Sequence, residues 1–308
     1  MLGYACINTE LQKQKITTNR SMIKRTFQER GVEYAAEIGM LNILDLEKIV
    51  QWNIDNDIRF FRMSSDVFPW ASEYGIPNLP NIKEVKTVLK RIGKLANTHG
   101  VRLTSHPGPF NVLCSPNDAV VENTITDLEL HGKFFDMLGL SKTPYNKINI
   151  HVGATYGNKT DTLKQFVSNF KYLSKSVKSR LTIENDDKAN AYSVKDLMHI
   201  HEQLGIPIVF DYHHHQFNTG GLSEKNALKL AISTWPSDIV PITHYSSSKS
   251  KETGEKVRPQ AHSNFILEKI NSYSQDIDIM LECKAKEQAL LKYRQEHERK
   301  NAKRRIIT

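Results

Sequence analysis

Six short apolar stretches of the chain each end in a residue that can bind a metal ion. In chain order these residues are His106, His151, Glu184, Asp211, His244 and Glu282. A single histidine or glutamate in such a position is usually a hydrogen-bonded structural residue, but six at equivalent positions are hard to explain by chance. Mixed imidazole and carboxylate ligands are typical of Mn²⁺ and Zn²⁺ sites. The pattern therefore predicts a metal centre.

The fourth of these stretches continues into three consecutive histidines, "FDYHHH". In an extended strand Asp211 and His213 would share a face, because side chains alternate with a period of two. If the chain turns as it leaves the strand, Asp211 and His214 become neighbours instead. A metal-binding loop favours the second arrangement, so we predict Asp211 and His214 as ligands. His213 and His215 are expected to lie further out, as hydrogen-bond donors or phosphate contacts.

A further histidine, His262, precedes the last apolar stretch. Seven or eight ligands exceed the coordination of one ion, so two or three ions with bridging carboxylates are expected. Metal ions about 3.5–4 Å apart typically serve phosphoryl chemistry, in which one ion activates water and another holds the leaving oxygen.

Eight β-branched, apolar runs could position these ligands. The runs are separated by segments whose apolar residues have helical spacing, such as 81–100, 117–139 and 161–177. The runs cover 2–5, 58–64, 101–106, 147–152, 180–185, 207–212, 239–246 and 276–283. Strands that alternate with helices predict a parallel sheet, and eight such units favour a single-domain α/β fold, the (β/α)₈ TIM barrel, over an open doubly wound sheet. In a barrel, the carboxyl ends of all strands meet on one face, where the ligands would converge.

Composition narrows the class of protein further. The 308 residues carry a net charge of +8, and basic residues are concentrated at both ends, which suits a polyanionic partner. We predict a barrel domain over 1–292 and a basic tail over 293–308.

Cys6, Cys114 and Cys283 form no C-x-x-C pair, which favours a reducing compartment. With no signal-like start and no bilayer-length apolar run, a cytoplasmic monomer is expected.

Nine motifs, co-linear over 2–292, carry a resemblance to a known family. They are "LGYACINTEL", "RFFRMSSDVFPWAS", "HPGPFNVLCSP", "IHVGATYG", "TIENDD", "FDYHHH", "THYSS", "AHSNFI" and "MLECKAKEQALL". Together they resemble the UV damage endonucleases. The resemblance implies a TIM barrel related to endonuclease IV that nicks damaged double-stranded DNA immediately 5′ to the lesion by attack of metal-activated water. The implied lesions are cyclobutane pyrimidine dimers, 6-4 photoproducts and abasic sites.

The resemblance also implies a divalent cluster, usually of manganese, with zinc or magnesium as other candidates. The implied ligands are His106, His151, Glu184, Asp211, His214, His244, His262 and Glu282. By analogy with endonuclease IV, Glu184 and Glu282 join His106 and His151 at one ion. Asp211 and His244 share Glu184 at a second ion, and His214 and His262 belong to a third. Glu184, Glu282, Asp211 and His244 would be the catalytic set.

Residues at the rim and three departures from the family pattern complete the expected site. The residues placed to contact the lesion are Tyr4, Asn8, Pro109 and Phe110. Pro109 and Phe110 replace a Gln-Tyr pair that some members insert at the lesion. Recognition of the lesion would therefore depend on shape and stacking. Glu73 stands where many members have a histidine and is a ninth candidate ligand. Ile242 replaces a lysine that some members carry near the metals.

Two other functions fit parts of the pattern. A metal-dependent sugar isomerase or epimerase on the same barrel would also use histidine, glutamate and aspartate at strand ends, but it needs no basic termini. A non-catalytic nucleic-acid-binding barrel would use the cluster structurally. Structural zinc prefers closed sites with cysteine ligands, and the chain has no such cysteine pattern.

Overall fold

The computed structural model describes residues 1–254 and 256–298 and contains a closed ring of parallel strands. The strands are β1 (Leu2–Ala5), β2 (Phe60–Arg62), β3 (Arg102–Thr104), β4 (Ile148–His151), β5 (Leu181–Glu184), β6 (Ile208–Asp211), β7 (Ile242–Tyr245) and β8 (Asp278–Leu281). Their order is β3-β2-β1-β8-β7-β6-β5-β4. A parallel bridge between Ser105 and Ile148 joins β3 to β4 and closes the ring. The predicted TIM barrel is confirmed.

Helices connect successive strands and cover the outside of the ring. Those described are α1 (Thr9–Gln12), α2 (Lys24–Asp55), α3 (Ala71–Tyr74), α4 (Ile82–Thr98), α5 (Asp118–Leu138), α6 (Lys159–Phe170), α7 (Lys175–Lys178), α8 (Val194–Leu204), α9 (Tyr212–His215), α10 (Glu224–Ile232), α11 (Lys249–Thr253) and α12 (Glu287–Tyr293). Short 3₁₀ turns span Ile76–Asn78 and Pro144–Asn146, and a π turn spans Arg294–Glu298. The segment predicted as one helix over 161–177 is two helices, because Ser174 caps a new one by accepting a hydrogen bond from the backbone N–H of Val177.

An ion-pair network occupies the amino-terminal end of the barrel. The Arg102 guanidinium donates to Asp278 at 2.6 Å, and the amino group of Met1 donates to the other oxygen of the same carboxylate at 2.6 Å. Arg102 also donates to the main-chain oxygens of Tyr145 and Val240. Such pairing satisfies a buried charge, and it closes this end of the barrel, so the carboxyl end is left for chemistry.

The strand β4 shows how the barrel interior acquires polar side chains. Ile148 and Ile150 are buried in the hydrophobic core, whereas Asn149 and His151 alternate with them and point toward Glu184 on β5. Lys147, two residues before Asn149, lies on the same side and is fully buried. Alternation thus places a column of polar groups inside the ring beneath its carboxyl end.

The chain after β8 begins as predicted, with a helix. The predicted basic tail, 293–308, starts at the end of α12 and continues through the π turn, and 299–308 lie outside the described residues. No helix within 1–254 and 256–298 is both long and apolar enough to cross a bilayer.

Candidate metal centre

Seven of the eight predicted ligands meet at the carboxyl end of the barrel, around the fully buried carboxylate of Glu184. Oε2 of Glu184 lies 3.0 Å from Nδ1 of His244, 3.2 Å from Nε2 of His106 and 3.9 Å from Nε2 of His151. Its Oε1 lies 3.4 Å from Nδ1 of His214. One carboxylate thus contacts histidines from four other strand ends, which is the arrangement of a bridging ligand.

Two further carboxylates complete the cluster. Oε1 of Glu282 lies 3.2 Å from the same Nδ1 of His244 that faces Glu184, and it accepts a hydrogen bond from Arg62. The possible ligand atoms of Glu184, Asp211 and His244 lie within 4.8 Å of one another. Those of His106, His151 and Glu184 form a second such group. Glu184 belongs to both groups.

The histidine run adopts the turn that a metal-binding loop requires. Asp211 ends β6 and caps the one-turn helix α9, since its Oδ1 accepts from the backbone N–H of His214 at 2.8 Å. This turn brings Nδ1 of His214 to 3.9 Å from Oδ2 of Asp211. Asn185 holds Asp211 from the side: it accepts from the Asp211 N–H at 2.8 Å and donates to the Asp211 carbonyl at 3.0 Å.

We expect substitution of Asn185 by alanine to destabilise the fold. It would leave a buried N–H and a buried carbonyl of Asp211 without partners, each at a cost of about 1–3 kcal/mol. The free energy of unfolding, measured with denaturant in the presence of a chelator, should fall by about 2–4 kcal/mol. Asn190→Ala, at an exposed position on the following loop, is the matched control. Equal stability of the two variants would contradict this role.

Main-chain carbonyls fix the tautomers of two histidines. Nδ1 of His106 lies 3.0 Å from the carbonyl of Pro107, and Nδ1 of His214 lies 2.8 Å from the carbonyl of Asn185. A carbonyl only accepts, so Nδ1 carries a proton in each ring. For His151, a carboxylate oxygen of Asp186 lies 3.0 Å from Nδ1 and favours the same tautomer.

Burial and neighbouring charges set the pKa values in the cluster. Burial lowers the pKa of His106 to about 4, so this imidazole is neutral at pH 7. Burial also disfavours charge on His151, but the carboxylates of Glu184 and Asp186 outweigh it and raise its pKa to about 10. Burial raises the pKa of Glu184, yet the surrounding histidines hold it well below the usual value. Burial lowers the pKa of Lys147 to about 7; its Nζ lies 3.1 Å from Nε2 of His244.

The donor atoms fit divalent cations. Nε2 of a neutral His106 points a lone pair at Oε2 of Glu184 across 3.2 Å, and two lone pairs repel unless a proton or cation lies between them. Moreover, Oε1 of Glu184, Oδ2 of Asp211 and Nδ1 of His244 are buried without a hydrogen-bond partner among the described residues. Buried polar atoms are almost always paired, so these atoms lack a ligand that metal ions would provide.

The remaining predicted ligands lie at the edge of the cluster or away from it. His262 follows an irregular segment, and its ring centroid is 6.5 Å from that of His214 and 5.3 Å from that of His213. His215 packs against Phe210, with ring centroids 5.3 Å apart. Glu73 is exposed on α3, and within the described chain it contacts none of the other predicted ligands.

The residues predicted to contact the lesion fall into two groups. Tyr4 and Asn8 are fully buried: the Tyr4 hydroxyl donates to Asn53 at 2.8 Å and accepts from Asn8 at 3.0 Å. In this conformation they stabilise the connection between β1 and α1 and are not available to DNA. Pro109 and Phe110, in contrast, are exposed on the loop after β3, and Phe110 is 89% exposed.

Several side chains that the sequence analysis did not single out support the ligands. Asn149 donates to Glu184 and accepts from Thr182 at 2.8 Å, and Arg62 donates to Glu282. Lys147 reaches His244 from β4, whereas Ile242, at the position where some family members have a lysine, is buried in an apolar cluster. Lys147, Asn149 and His151 alternate with apolar residues, and this alternation is the sequence signal that could have identified Lys147 and Asn149.

The ring of eight parallel strands and its helices define the class of protein as a TIM barrel, a fold that it shares with endonuclease IV. The backbone of endonuclease IV from Thermus thermophilus matches 95% of this chain and 97% of its own length with a TM-score of 0.57, at 11% identity, which shows the shared fold. The sequence defines the particular family.

The family model described as UV-endonuclease UvdE matches residues 1–306. The UV-damage endonuclease of Schizosaccharomyces pombe is 36% identical over 313 residues, which cover 97% of this chain and 51% of that protein. The crystal structure of SacUVDE matches with a TM-score of 0.84 at 31% identity, over 97% of this chain and 98% of that one. The chain belongs to the UV-damage endonuclease family, as predicted, and it spans about half the length of the S. pombe relative.

Proposed function

We propose that the chain is a DNA-repair endonuclease that nicks ultraviolet-damaged DNA immediately 5′ to the lesion and leaves a 3′-hydroxyl and a 5′-phosphate. The proposed lesions are cyclobutane pyrimidine dimers, 6-4 photoproducts and abasic sites. The observation that carries this proposal is the convergence of His106, His151, His214 and His244 on one buried carboxylate, Glu184, in a chain of this family.

The proposed cofactor is a cluster of two or three divalent ions, with Mn²⁺ favoured and Zn²⁺ or Mg²⁺ as alternatives. Glu184 and Glu282 would hold one ion with His106 and His151. Asp211 and His244 would share Glu184 at a second, and His214 and His262 would contribute to a third, with Glu73 as a further candidate. Bound ions would supply positive charge to the phosphate oxygens and lower the pKa of a water molecule toward neutrality.

The affinity for the ions should rise with pH across the neutral range. The sign of this pH dependence follows from the protonation of His151. In the metal-free protein burial lowers the pKa of His151, but Glu184 and Asp186 raise it to about 10, so this histidine is protonated at neutral pH. An ion must displace that proton, and each displaced proton makes the affinity increase about tenfold per pH unit between roughly pH 6 and 8. Calorimetric titration with Mn²⁺ in buffers of different ionisation enthalpy counts the released protons.

The control for this pH dependence is Asp186→Asn, which removes one of the charges that retain the proton on His151. Fewer protons should then be released, and the dependence of the affinity on pH should become shallower. A pH-independent affinity in the wild type would mean that His151 lies outside the ligand set.

The residues around the cluster keep its ligands in the charge state and orientation that binding of ions and a phosphodiester would require. Glu184 and Glu282 stay ionised because histidines and Arg62 surround them. The main-chain carbonyl of Pro107 holds the proton of His106 on Nδ1, so that Nε2 faces Glu184 without one. Burial makes each fixed charge and dipole more effective than in water, so the ligand geometry needs little rearrangement when a phosphate arrives.

Lesion recognition is assigned to the exposed loop that carries Pro109 and Phe110. An aromatic ring with 89% exposure has no packing role here and can stack in a gap in a distorted duplex. Stacking of an aromatic residue on a base is worth about 1–3 kcal/mol. The loop begins directly after the ligand His106, so a base pair held by Phe110 would lie beside the cluster.

Phe110→Ala is expected to reduce nicking of a duplex that contains one photodimer by roughly 5–150-fold in kcat/KM, which corresponds to the loss of one stacking contact. The change should appear mainly in KM, since the ring contacts none of the reacting atoms. The melting temperature should be unchanged because the side chain is exposed. Phe110→Trp, which keeps a stacking surface, should retain most activity. Equal loss in the alanine and tryptophan variants would rule out stacking as the cause.

A nicking assay with end mapping tests the proposed function. Purified protein supplied with Mn²⁺ should relax irradiated supercoiled plasmid, leave unirradiated plasmid intact, and cut a defined duplex at the bond immediately 5′ to a single photodimer. Binding without cutting would favour the non-catalytic nucleic-acid-binding barrel instead. Turnover of small sugars without cutting would favour the isomerase or epimerase alternative.

A further inference from the structure

His213, the first member of the histidine run, lies beside His262 but has no role in the ligand set described above. Its side chain is fully buried, and its ring centroid is 5.3 Å from that of His262. His262 differs from the other seven predicted ligands because it follows an irregular segment and not a strand end or its first turn. Its main chain is anchored by pairing with Ser248, but this pairing does not orient its imidazole ring.

The tautomer of His213 follows from its one hydrogen bond. Nε2 lies 3.1 Å from the main-chain carbonyl of Gln260, which can only accept, so Nε2 carries the proton. Nδ1 therefore has a free lone pair. This atom is buried and has no hydrogen-bond partner in the described part of the chain. His213 is consequently a fixed acceptor inside the protein, two residues after Asp211.

His262 presents the complementary group. Its Nδ1 is also buried and has no hydrogen-bond partner within 1–254 and 256–298. Its ring centroid lies 6.5 Å from that of the predicted ligand His214, at the edge of the cluster. A histidine that binds a cation through Nε2 carries its proton on Nδ1 and needs an acceptor there. The unpaired acceptor of His213 and the unpaired nitrogen of His262 thus match.

We propose that His213 is the positioning residue for His262, an inference that rests on the proposed metal-dependent function and deepens it. The Nδ1–H of His262 donates to Nδ1 of His213, whose Nε2–H donates to the carbonyl of Gln260. This chain of two hydrogen bonds directs Nε2 of His262 toward the cluster. The two rings lie with their centroids 5.3 Å apart and their planes tilted by 49°, so they are direct neighbours. His213 itself contacts no ion.

Two amide substitutions distinguish the two nitrogens of His213. His213→Asn keeps an acceptor near the position of Nδ1, whereas His213→Gln keeps a polar group near Nε2, and His213→Leu keeps neither. Ion binding is measured by calorimetric titration of chelator-treated protein with MnCl₂, together with the metal content after gel filtration. Only the variant that retains the acceptor near Nδ1 is expected to preserve binding, so His213→Asn should bind ions as the wild type does. His213→Gln and His213→Leu should weaken the most weakly held ion by about 10–100-fold.

A spectroscopic measurement on the wild-type protein does not depend on whether any variant folds. The ¹⁵N resonances of imidazole, recorded with diamagnetic Zn²⁺, report which ring nitrogen is protonated and which binds the ion. We expect the Nδ1 of His262 to be protonated, and the Nδ1 of His213 to be an unprotonated hydrogen-bond acceptor with no metal shift. His262→Ala identifies the resonances of His262.

Three results would overturn the inference. One is unchanged ion affinity in His213→Gln. Another is equal weakening in His213→Asn and His213→Leu with an intact fold, because an acceptor at Nδ1 would then be irrelevant. The last is a metal-shifted Nδ1 in His213, which would make it a ligand. Failure of the wild type to bind any divalent ion would instead refute the metal-dependent function itself, and the inference with it.

Discussion

Glu184→Gln is expected to abolish nicking of irradiated DNA, with a loss on the order of 10³-fold or more in kcat, since residues that act as one catalytic unit lose most activity when a single member is removed. The amide keeps the size of the side chain but loses the negative charge and one acceptor. Four histidines face this carboxylate at 3.0–3.9 Å, so no neighbouring group can replace it. Both ions that it is proposed to bridge would lose a ligand.

The measurement must separate lost chemistry from lost folding and lost DNA binding. Single-turnover nicking of a duplex with one photodimer gives the rate, and affinity for the same duplex at several salt concentrations gives binding. Binding should survive and stay salt-sensitive, because phosphate contacts elsewhere on the protein are unaffected. Glu202→Gln, at an exposed position on α8, is the matched control. Nicking by Glu184→Gln within tenfold of the wild type would remove Glu184 from the catalytic set.

The sequence was sufficient to predict the strand ends because six of the predicted ligands each end an apolar, β-branched run. His106, His151, Glu184 and His244 fall where the parallel strands finish, and a barrel forces those ends onto one face. The choice between His213 and His214 depended on one further condition, a turn after Asp211. The structure supplies this turn through the hydrogen bond from the His214 N–H to the Asp211 side chain.

Other features depend on how far a side chain reaches, which spacing along the chain does not reveal. Tyr4 and Asn8 carry polar groups of the kind that contact DNA. A chain of hydrogen bonds with Asn53 nevertheless holds both side chains inside the protein. Lys147 directly precedes β4, but its long side chain extends to His244, 97 residues away in sequence. Such cross-barrel contacts arise only when the ring closes, so a pattern read one strand at a time cannot predict them.

Positive charge within the cluster explains how three carboxylates can be buried together. Arg62 pairs with Glu282, and His151, whose pKa Glu184 and Asp186 raise to about 10 against the effect of burial, is protonated in the metal-free protein. Bare carboxylates at this density would repel each other, and burial would raise their pKa values. Arg62 and His151 therefore supply positive charge in the metal-free protein, and a bound ion would displace the proton of His151.

Removal of divalent ions is expected to eliminate nicking and to lower stability, and Mn²⁺ should restore both. An ion present at 100 times its dissociation constant stabilises the folded state by about 2.7 kcal/mol, which corresponds to a melting temperature about 5–10 °C higher for a domain of this size. The donor atoms that an ion would satisfy, such as Oε1 of Glu184 and Oδ2 of Asp211, are buried without a hydrogen-bond partner in the described part of the chain, and an ion would supply that partner.

Differential scanning calorimetry of chelator-treated and reconstituted protein measures this shift, and nicking of irradiated plasmid by the same two samples measures the activity. The same measurements with Mg²⁺ or Zn²⁺ in place of Mn²⁺, at equal concentration, compare the stability and the activity that each candidate ion restores. Glu184→Gln supplies the control, because the loss of its bridging carboxylate should shrink the stabilisation that Mn²⁺ gives to the wild type. Identical melting curves with and without ions, or full activity after exhaustive chelation, would exclude a metal-dependent site at this end of the barrel.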